Sequence, residues 1–153
     1  MQKIILLITV LFSVNALLAQ SGSAKMVNWS YTSKQIAADT YEVRFTANIN
    51  GKYHMYAQNV GVDGPVPTSF TFTRNPLVDI NGKVKEAGKM IKKRRQRRGG
   101  DVNYYENKVE FVQMVKLKKK IKTQVGGIVE FMVCDDKECL PPAEVPFKVN
   151  IGG

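Results

Sequence analysis

The chain contains the segment Ile128-Val129-Glu130-Phe131-Met132-Val133-Cys134-Asp135-Asp136-Lys137-Glu138-Cys139-Leu140-Pro141-Pro142, which holds both of its cysteines. An apolar run precedes the first cysteine, and an alternating apolar pattern follows the prolines from residue 145 to residue 151. This pattern predicts two strands joined by a four-residue polar turn. Residues that flank such a turn face each other at roughly 4.5–5.5 Å between Cα atoms, which suits a disulfide. We therefore expect a bridge between Cys134 and Cys139.

A bridge at this position is better suited to exchange than to stabilising the fold. It closes so short a loop that chain entropy contributes only about 2 kcal/mol. A thiol–disulfide relay needs two thiols that can bridge and that a partner sulfur can reach. We therefore interpret Cys134 and Cys139 as a catalytic redox pair. The alternative from the same residues is a plain structural disulfide.

The residues around the pair refine this prediction. Three carboxylates place negative charge beside the sulfurs, opposed by one lysine: Asp135, Asp136, Glu138 and Lys137. Carboxylates disfavour a thiolate, so we expect a relay whose rate depends on the attacking partner rather than a strongly activated nucleophile. Because Pro141 and Pro142 lack backbone donors, we also expect the strand edge beyond the pair to stay open for docking.

Strand patterns recur along the rest of the chain, and no window has a convincing helical period. The predicted strands are 27–31, 41–49, 53–56, 69–73, a weaker one near 78–80, 108–117, 124–134 and 143–151. The polar and basic interval 83–100 is assigned to no strand. Seven or eight short strands in about 125 residues predict an all-β, immunoglobulin-like antiparallel β-sandwich.

The first nineteen residues predict a secretory signal peptide. They begin with Met1-Gln2-Lys3, continue through the apolar stretch 4–12 and end in Leu17-Leu18-Ala19. Such a segment is too short and wrongly flanked for a membrane anchor, so we expect it to be cleaved. Residues 20–153 then form one domain of about 134 residues, with a short flexible lead at 21–24. A single cysteine pair in an exported chain fits an oxidising compartment.

The positive charge of the chain is concentrated in one segment. The formal net charge is +10. Most residues from 92 to 98 are cationic: Lys92, Lys93, Arg94, Arg95, Arg97 and Arg98. In an exported protein this run predicts binding to polyanions such as lipid headgroups or surface polysaccharide, and no nucleic acid partner. The alternative is a solvated loop tip without a ligand.

Three segments carry a family resemblance: Cys-x4-Cys-Leu-Pro-Pro at 134–142 with Glu144-Val145-Pro146-Phe147 after it, Tyr53-His54-Met55-Tyr56-Ala57-Gln58, and Gly64-Pro65-Val66-Pro67-Thr68-Ser69-Phe70. Together they resemble the amino-terminal periplasmic domain of the DsbD family of membrane thiol reductases. The similarity covers the chain from about Val27 to Ile151. The cysteine segment is its specific part, although the spacing is one residue shorter than in the best-known member.

The resemblance implies an immunoglobulin-like sandwich whose cysteine pair cycles between dithiol and disulfide. It implies that Cys139 forms the mixed disulfides and that Cys134 resolves them. It also implies a cap loop with an aromatic shield near residues 92–105. The candidate neighbours of the pair are therefore Tyr53, Tyr56, Tyr104, Tyr105, Asp135 and Asp136.

Together these observations predict a periplasmic thiol–disulfide interchange domain that relays reducing equivalents between partner proteins. The resemblance implies periplasmic thioredoxin-like or disulfide isomerase proteins as partners, with a membrane thiol reductase as a further one. The sequence does not include the membrane and thioredoxin-like domains of the full reductase, so we expect an oxidoreductase domain that acts as an electron relay. We expect no cofactor and no metal. The alternative is a non-catalytic immunoglobulin-like binding module with a structural disulfide and a polyanion-binding basic loop.

Overall fold

The computed structural model describes residues 22–95 and 100–153, and most of these residues lie in strands. The elements in chain order are α1 (Gly22–Met26), β1 (Val27–Ala37), β2 (Thr40–Ile49), β3 (His54–Tyr56), β4 (Ser69–Phe72), β5 (Val78–Ala87), β6 (Ile91–Arg95), β7 (Gly100–Glu106), β8 (Lys108–Leu117), β9 (Thr123–Phe131), β10 (Val133–Cys134) and β11 (Ala143–Ile151). The predicted all-β, immunoglobulin-like antiparallel sandwich is confirmed. The predicted signal peptide lies outside the described residues.

The strands form three antiparallel sheets. The first sheet has the order β1-β2-β8-β5, the second β10-β3-β7-β6 and the third β11-β9-β4. Long, regular ladders join β1 to β2, β2 to β8 and β9 to β11. Strands β2, β8, β9 and β11 alternate most clearly in sequence, because each has one face in the core and one toward solvent.

The main core is built from the inner faces of all three sheets. In β2, Val43, Phe45 and Ala47 are fully buried, while the residues between them are partly exposed. The ring of Phe45 lies 4.7 Å from that of Phe147 in β11 and 4.9 Å from that of Phe70 in β4. Burying such a side chain contributes roughly 1.5–3 kcal/mol, so this core is a major source of stability for the fold.

The sequence predicts no strand between residues 83 and 100, but the structure contains strands in this interval. Strand β5 continues to Ala87, and β6 and β7 pair from Ile91↔Tyr104 to Arg95↔Gly100. Strand β6 is the edge of the second sheet, and charged side chains on an edge strand discourage pairing with other chains. A basic edge strand therefore carries almost no apolar alternation, which is why its sequence does not reveal it.

The predicted flexible lead at 21–24 is also different in the structure. Residues Gly22–Met26 form a single helical turn, and within it Ser23 is fully buried. A segment this short has no periodic signal of its own. Its conformation is instead fixed by packing against the cysteine segment described below.

The cysteine segment is a hairpin, but it does not follow the predicted one throughout. Strands β9 and β11 pair with each other from Phe131↔Ala143 outward, as predicted. Between them, however, Met132 carries the chain into the second sheet, where β10 pairs with β3. The two cysteines then form an isolated antiparallel bridge. Cys134 is therefore attached to the tyrosine-bearing strand β3 as well as to the hairpin.

Candidate functional site

The two cysteines are bonded to each other across the turn, as predicted. Their Cα atoms are 4.0 Å apart. Cys134 has only 2% of its surface exposed, whereas Cys139 is an exposed residue. The asymmetry follows from the strands, because Cys134 on β10 lies between β3 and the returning segment, whereas Cys139 lies on that outermost segment. Cys139 is therefore the more accessible of the two sulfur-bearing residues.

A tight turn spans residues 135–138 between the cysteines. The Asp135 amide donates to the carbonyl of Glu138 over 2.9 Å. The Asp135 carboxylate accepts hydrogen bonds from the amides of Lys137 and Glu138, both at 2.9 Å. These bonds lower the pKa of Asp135, with the Glu138 amide as the largest cause. Asp135 thus acts mainly as a cap of the turn, whereas Asp136 is exposed.

Lys52 is a neighbour of the turn that sequence reasoning missed. Its Nζ lies 3.4 Å from a carboxylate oxygen of Asp135 and 4.9 Å from the centre of the Tyr53 ring. Its pKa is raised, first by Tyr53 and then by Asp135. The ammonium group offsets part of the negative charge beside the sulfurs. No local sequence signal indicates this contact, because residues 52 and 135 meet only through the pairing of β3 with β10.

The Tyr56 hydroxyl contacts both sulfurs of the disulfide. It donates a hydrogen bond to Cys134 Sγ at 3.1 Å and lies 3.9 Å from Cys139 Sγ. Tyr56 is fully buried, and Thr68 Oγ1 donates to its carbonyl at 2.6 Å. A hydroxyl held in this position can stabilise negative charge that develops on Cys134.

Cys134 belongs to a small apolar cluster on the face of the second sheet that points away from the main core. The cluster consists of Tyr56, Val60, Val102, Tyr104, Met132 and Cys134, with Val62, Val66 and Ile91 packed against it. Apolar surroundings exclude water from the buried sulfur. Of the two cysteines, only Cys139 is exposed to solvent.

The loop at residues 58–67 supplies three of these apolar side chains. Asn103 of β7 holds it, because the Asn103 amide donates to Val60 O at 2.9 Å and its side chain donates to Asn59 O at 2.8 Å. Gly61 has a φ of 85°, and a Cβ there would collide with the Asp101 carbonyl. Val60 of this loop is buried in the cluster with Cys134, and Val62 and Val66 pack against that cluster. The aromatic cap implied near residues 92–105 falls mostly on β6 and β7, and residues 96–99 lie outside the described part of the chain.

The four candidate tyrosines fall on two faces of the second sheet. Tyr56 and Tyr104 lie opposite each other on the face of Cys134. Burial raises the pKa of Tyr104, with smaller contributions from Glu106 and Asp136. Tyr53 and Tyr105 belong to the main core instead. The Tyr105 hydroxyl donates to Glu86 at 3.0 Å, so it does not reach the sulfurs.

His54 lies on the same face as Cys134 and packs between two tyrosines. Its ring centre is 4.5 Å from that of Tyr104 and 5.5 Å from that of Tyr56. It is the register partner of Cys134. It therefore forms part of the aromatic wall around the site.

The strand edge beyond the pair is more occupied than the two prolines suggested. The Leu140 amide donates to Val133 O at 3.0 Å, one position beyond the bridge. The Val133 amide donates to Ser23 Oγ at 3.3 Å, and that hydroxyl donates to Leu140 O at 3.4 Å. Ser23 was missed because it lies at the other end of the sequence.

The basic residues lie away from the sulfurs, on the edge strand of the second sheet. Lys92, Lys93 and Arg94 are exposed. Arg95 ends β6, and Arg97 and Arg98 lie outside the described residues. The strand order β10-β3-β7-β6 places two strands between this edge and Cys134.

The chain matches a family of known thiol:disulfide interchange proteins. The family model "Thiol:disulfide interchange protein DsbD, N-terminal" matches residues 24–150. Among curated proteins, none matches the chain. The family match covers both cysteines and all eleven strands except the last residue of β11, and it begins one residue after Ser23.

Two solved structures from Neisseria meningitidis are similar to the chain. The DsbD N-terminal domain in the reduced form has a TM-score of 0.51 and 18% sequence identity, covering 84% of this chain and 88% of that chain. A complex between the DsbD N-terminal and PilB N-terminal domains has a TM-score of 0.46 and 17% identity, covering 77% and 80%. At 18% identity, the similarity to the reduced DsbD N-terminal domain supports the fold of this chain and nothing further.

Proposed function

The chain belongs to the DsbD N-terminal domain family, and on that premise we propose how its relay of reducing equivalents works. The Cys134–Cys139 pair accepts electrons from one partner protein as a disulfide and passes them to another as a dithiol. The observation that carries the proposal is the asymmetry of the bridge. One sulfur is exposed, and the other is buried beside a hydrogen-bond donor.

Reduction begins with attack of a partner thiolate on Cys139 Sγ, the exposed sulfur. A bond forms between the partner sulfur and Cys139 while the bond between Cys139 and Cys134 breaks. The electron pair leaves on Cys134 as a thiolate, which the Tyr56 hydroxyl stabilises by donating a hydrogen bond. A second thiol of the partner then displaces Cys139, so that the partner is oxidised to a disulfide and this domain holds two thiols after protonation.

Delivery of the electrons runs through the same sulfur. The Cys139 thiolate attacks the disulfide of an acceptor and forms a mixed disulfide, releasing one acceptor thiolate. Cys134 then attacks Cys139, the mixed disulfide breaks, and the acceptor leaves fully reduced. The turn at 135–138 keeps the two sulfurs adjacent, so this last step is intramolecular.

The partners that fit this chemistry are thioredoxin-like or disulfide isomerase proteins of the periplasm, with a membrane thiol reductase as the electron source. The exposure of Cys139 supports attack by a surface cysteine of such a partner. The family membership and the amino-terminal sequence together support a periplasmic location. Among residues 22–95 and 100–153, no helix has the length and apolar character needed to cross a membrane.

The experiment that tests the relay is a redox titration of the purified domain. The fraction of bridged protein is measured in dithiothreitol or glutathione buffers of known poise. A relay pair has a potential near the thioredoxin value of about −270 mV. A potential well below about −300 mV marks a structural bridge and contradicts the proposal.

We also propose that the basic edge strand binds polyanions independently of exchange. Lys92, Lys93 and Arg94 are exposed on β6, and only Arg94 has an acidic register partner, Asp101. Attraction of this kind acts over about 10 Å at 0.1 M salt. The strand lies two strands away from Cys134, so a bound anion leaves Cys139 accessible.

A further inference from the structure

Ser23 joins the two backbone segments that carry the cysteines. Its side chain is fully buried. Its Oγ accepts a hydrogen bond from the Val133 amide at 3.3 Å and donates one to the Leu140 carbonyl at 3.4 Å. Val133 directly precedes Cys134, and Leu140 directly follows Cys139. One hydroxyl therefore connects the outer flanks of the pair.

These contacts do not depend on the bond between the sulfurs. The Leu140 amide also donates to Val133 O at 3.0 Å, so three hydrogen bonds join the flanking residues. None of them uses a sulfur atom. All three can therefore persist when the bridge is reduced.

The helical turn α1 is seated on the cysteine segment by packing as well. At Gly22 a Cβ would lie 3.4 Å from side-chain atoms of Leu140, which is close contact. Leu140 in turn packs against the main core. The position of Ser23 is thus fixed by neighbours on both sides rather than by its own short helix.

The pair is consequently held from two directions. Inside the loop, the turn at 135–138 is closed by the Asp135 carboxylate and by the bond from the Asp135 amide to Glu138 O. Outside it, Ser23 reaches Val133 from 110 positions away in the sequence. Two thiols held in register form a disulfide more readily than two thiols on separated segments, because their effective concentration is higher.

We propose that Ser23 is a positioning residue of the relay, which holds the two thiols of the reduced domain in register. This role rests on the proposed relay function. It sets the effective concentration of the Cys134 thiol toward Cys139, and with it the redox potential and the rate at which Cys134 resolves a mixed disulfide. The amino-terminal segment of the folded domain is thereby part of the redox site.

The test is a redox titration of Ser23→Ala beside the unmutated domain, in buffers where dithiothreitol is oxidised to its cyclic disulfide as the bridge is reduced. Ser33→Ala is the matched control. Ser33 Oγ also donates to a distant backbone carbonyl, that of Asn150 at 2.6 Å, but it is exposed and away from the cysteines. We expect the equilibrium constant for bridge formation to fall about tenfold in Ser23→Ala, which is about 30 mV toward less negative potential. We expect no change in Ser33→Ala.

The outcomes separate this inference from the relay itself. If Ser23→Ala titrates with the potential of the unmutated domain, the relay stands and the role of Ser23 is overturned. If all three proteins stay oxidised in every buffer, the relay fails and the role of Ser23 fails with it.

A second measurement uses the unmutated domain alone and does not depend on the variant folding. Hydrogen exchange of the Val133 amide is followed in the oxidised and the reduced protein. If Ser23 holds the reduced pair in register, this amide stays protected in both states. Exchange that becomes as fast as in an unstructured peptide upon reduction overturns the proposal.

Discussion

At the scale of single residues, the contact of Tyr56 with the disulfide leads to a prediction about the sulfur chemistry. Its hydroxyl lies within hydrogen-bond distance of the buried sulfur, and that sulfur is the one that must leave when Cys139 is attacked. A hydrogen bond to a charged group contributes about 1.5–3 kcal/mol. The same bond contributes less to the neutral disulfide, so most of this energy lowers the barrier to reduction.

We therefore expect Tyr56→Phe to slow reduction of the bridge about tenfold or more, since each 1.36 kcal/mol changes a rate tenfold. The rate is measured by stopped-flow mixing of the oxidised domain with dithiothreitol. Tyr105→Phe is the control, because it loses a hydroxyl on the other face of the same sheet, where Glu86 accepts its bond. Equal rates for both variants would remove Tyr56 from the mechanism.

The pKa of Asp135 predicts how the turn responds to acid. Because its folded-state pKa is lower than its usual value of about 3.9, the ionised carboxylate stabilises the turn above about pH 4. That stabilisation is lost as the pH falls through the lowered pKa. We expect the amide resonances of Lys137 and Glu138 to shift in this acidic range in an NMR titration.

Asp135→Asn supplies the comparison for this titration. The neutral amide oxygen can still accept both backbone hydrogen bonds, but it does not titrate. The acid-dependent shifts should therefore vanish in the variant while the turn stays closed. Shifts that persist unchanged in Asp135→Asn would assign the titration to another group.

Only some of these residues could be found from the sequence. The two cysteines and Tyr56 follow from spacing and from a family resemblance carried by local segments. Lys52 and Ser23 could not be found, because each meets the cysteine segment only through strand pairing or packing across a long sequence separation. Tyr105 was expected beside the pair, but strand alternation turns it to the opposite face from Tyr104.

At the scale of elements, the strands that bury one face in the core are the ones that the sequence predicts best. Strands β2, β8, β9 and β11 alternate because each lines the core on one side, and their sequences indicate them directly. Strand β6 is a charged edge without apolar alternation, so its sequence does not indicate a strand. The two residues of β10 continue the apolar run of β9, so the sequence does not reveal that β10 is a separate strand. The pairing of β10 with β3 is a tertiary feature, and it is what brings Tyr56 to Cys134.

The basic edge strand provides a prediction at this scale. Replacing Lys92, Lys93 and Arg94 with serine should greatly weaken salt-sensitive retention on heparin, because these exposed cations supply the attraction. The rate of bridge reduction should stay the same. Serine at Lys118, Lys119 and Lys120 removes three other exposed cations and serves as the control. A large change in exchange rate in the β6 variant would instead place this strand in the redox site.

At the scale of the whole molecule, the site and the main core are separate. The phenylalanine-rich core lies between the sheets, and the cluster around Cys134 lies on the outer face of the second sheet. The redox state of the pair can therefore change while the core remains packed. A relay needs this separation, since it must pass through both states in every cycle.

We accordingly expect the double variant Cys134→Ser, Cys139→Ser to remain folded. Loss of so short a cross-link should cost only about 2 kcal/mol in a domain whose total stability is about 5–15 kcal/mol. Thermal or urea unfolding monitored by circular dichroism measures the difference. An unfolded double variant would show that the bridge is a structural staple.

The central claim, that the pair exchanges disulfides through Cys139, is tested most directly by trapping. Cys134→Ser and Cys139→Ser are each mixed with a thioredoxin-like protein whose single reactive cysteine carries a thionitrobenzoate group. Attack by the remaining thiol forms a mixed disulfide and releases coloured thionitrobenzoate. The account predicts rapid trapping by Cys134→Ser, where exposed Cys139 remains, and little by Cys139→Ser, where only buried Cys134 remains. Faster trapping by Cys139→Ser, or trapping by neither variant, would contradict it.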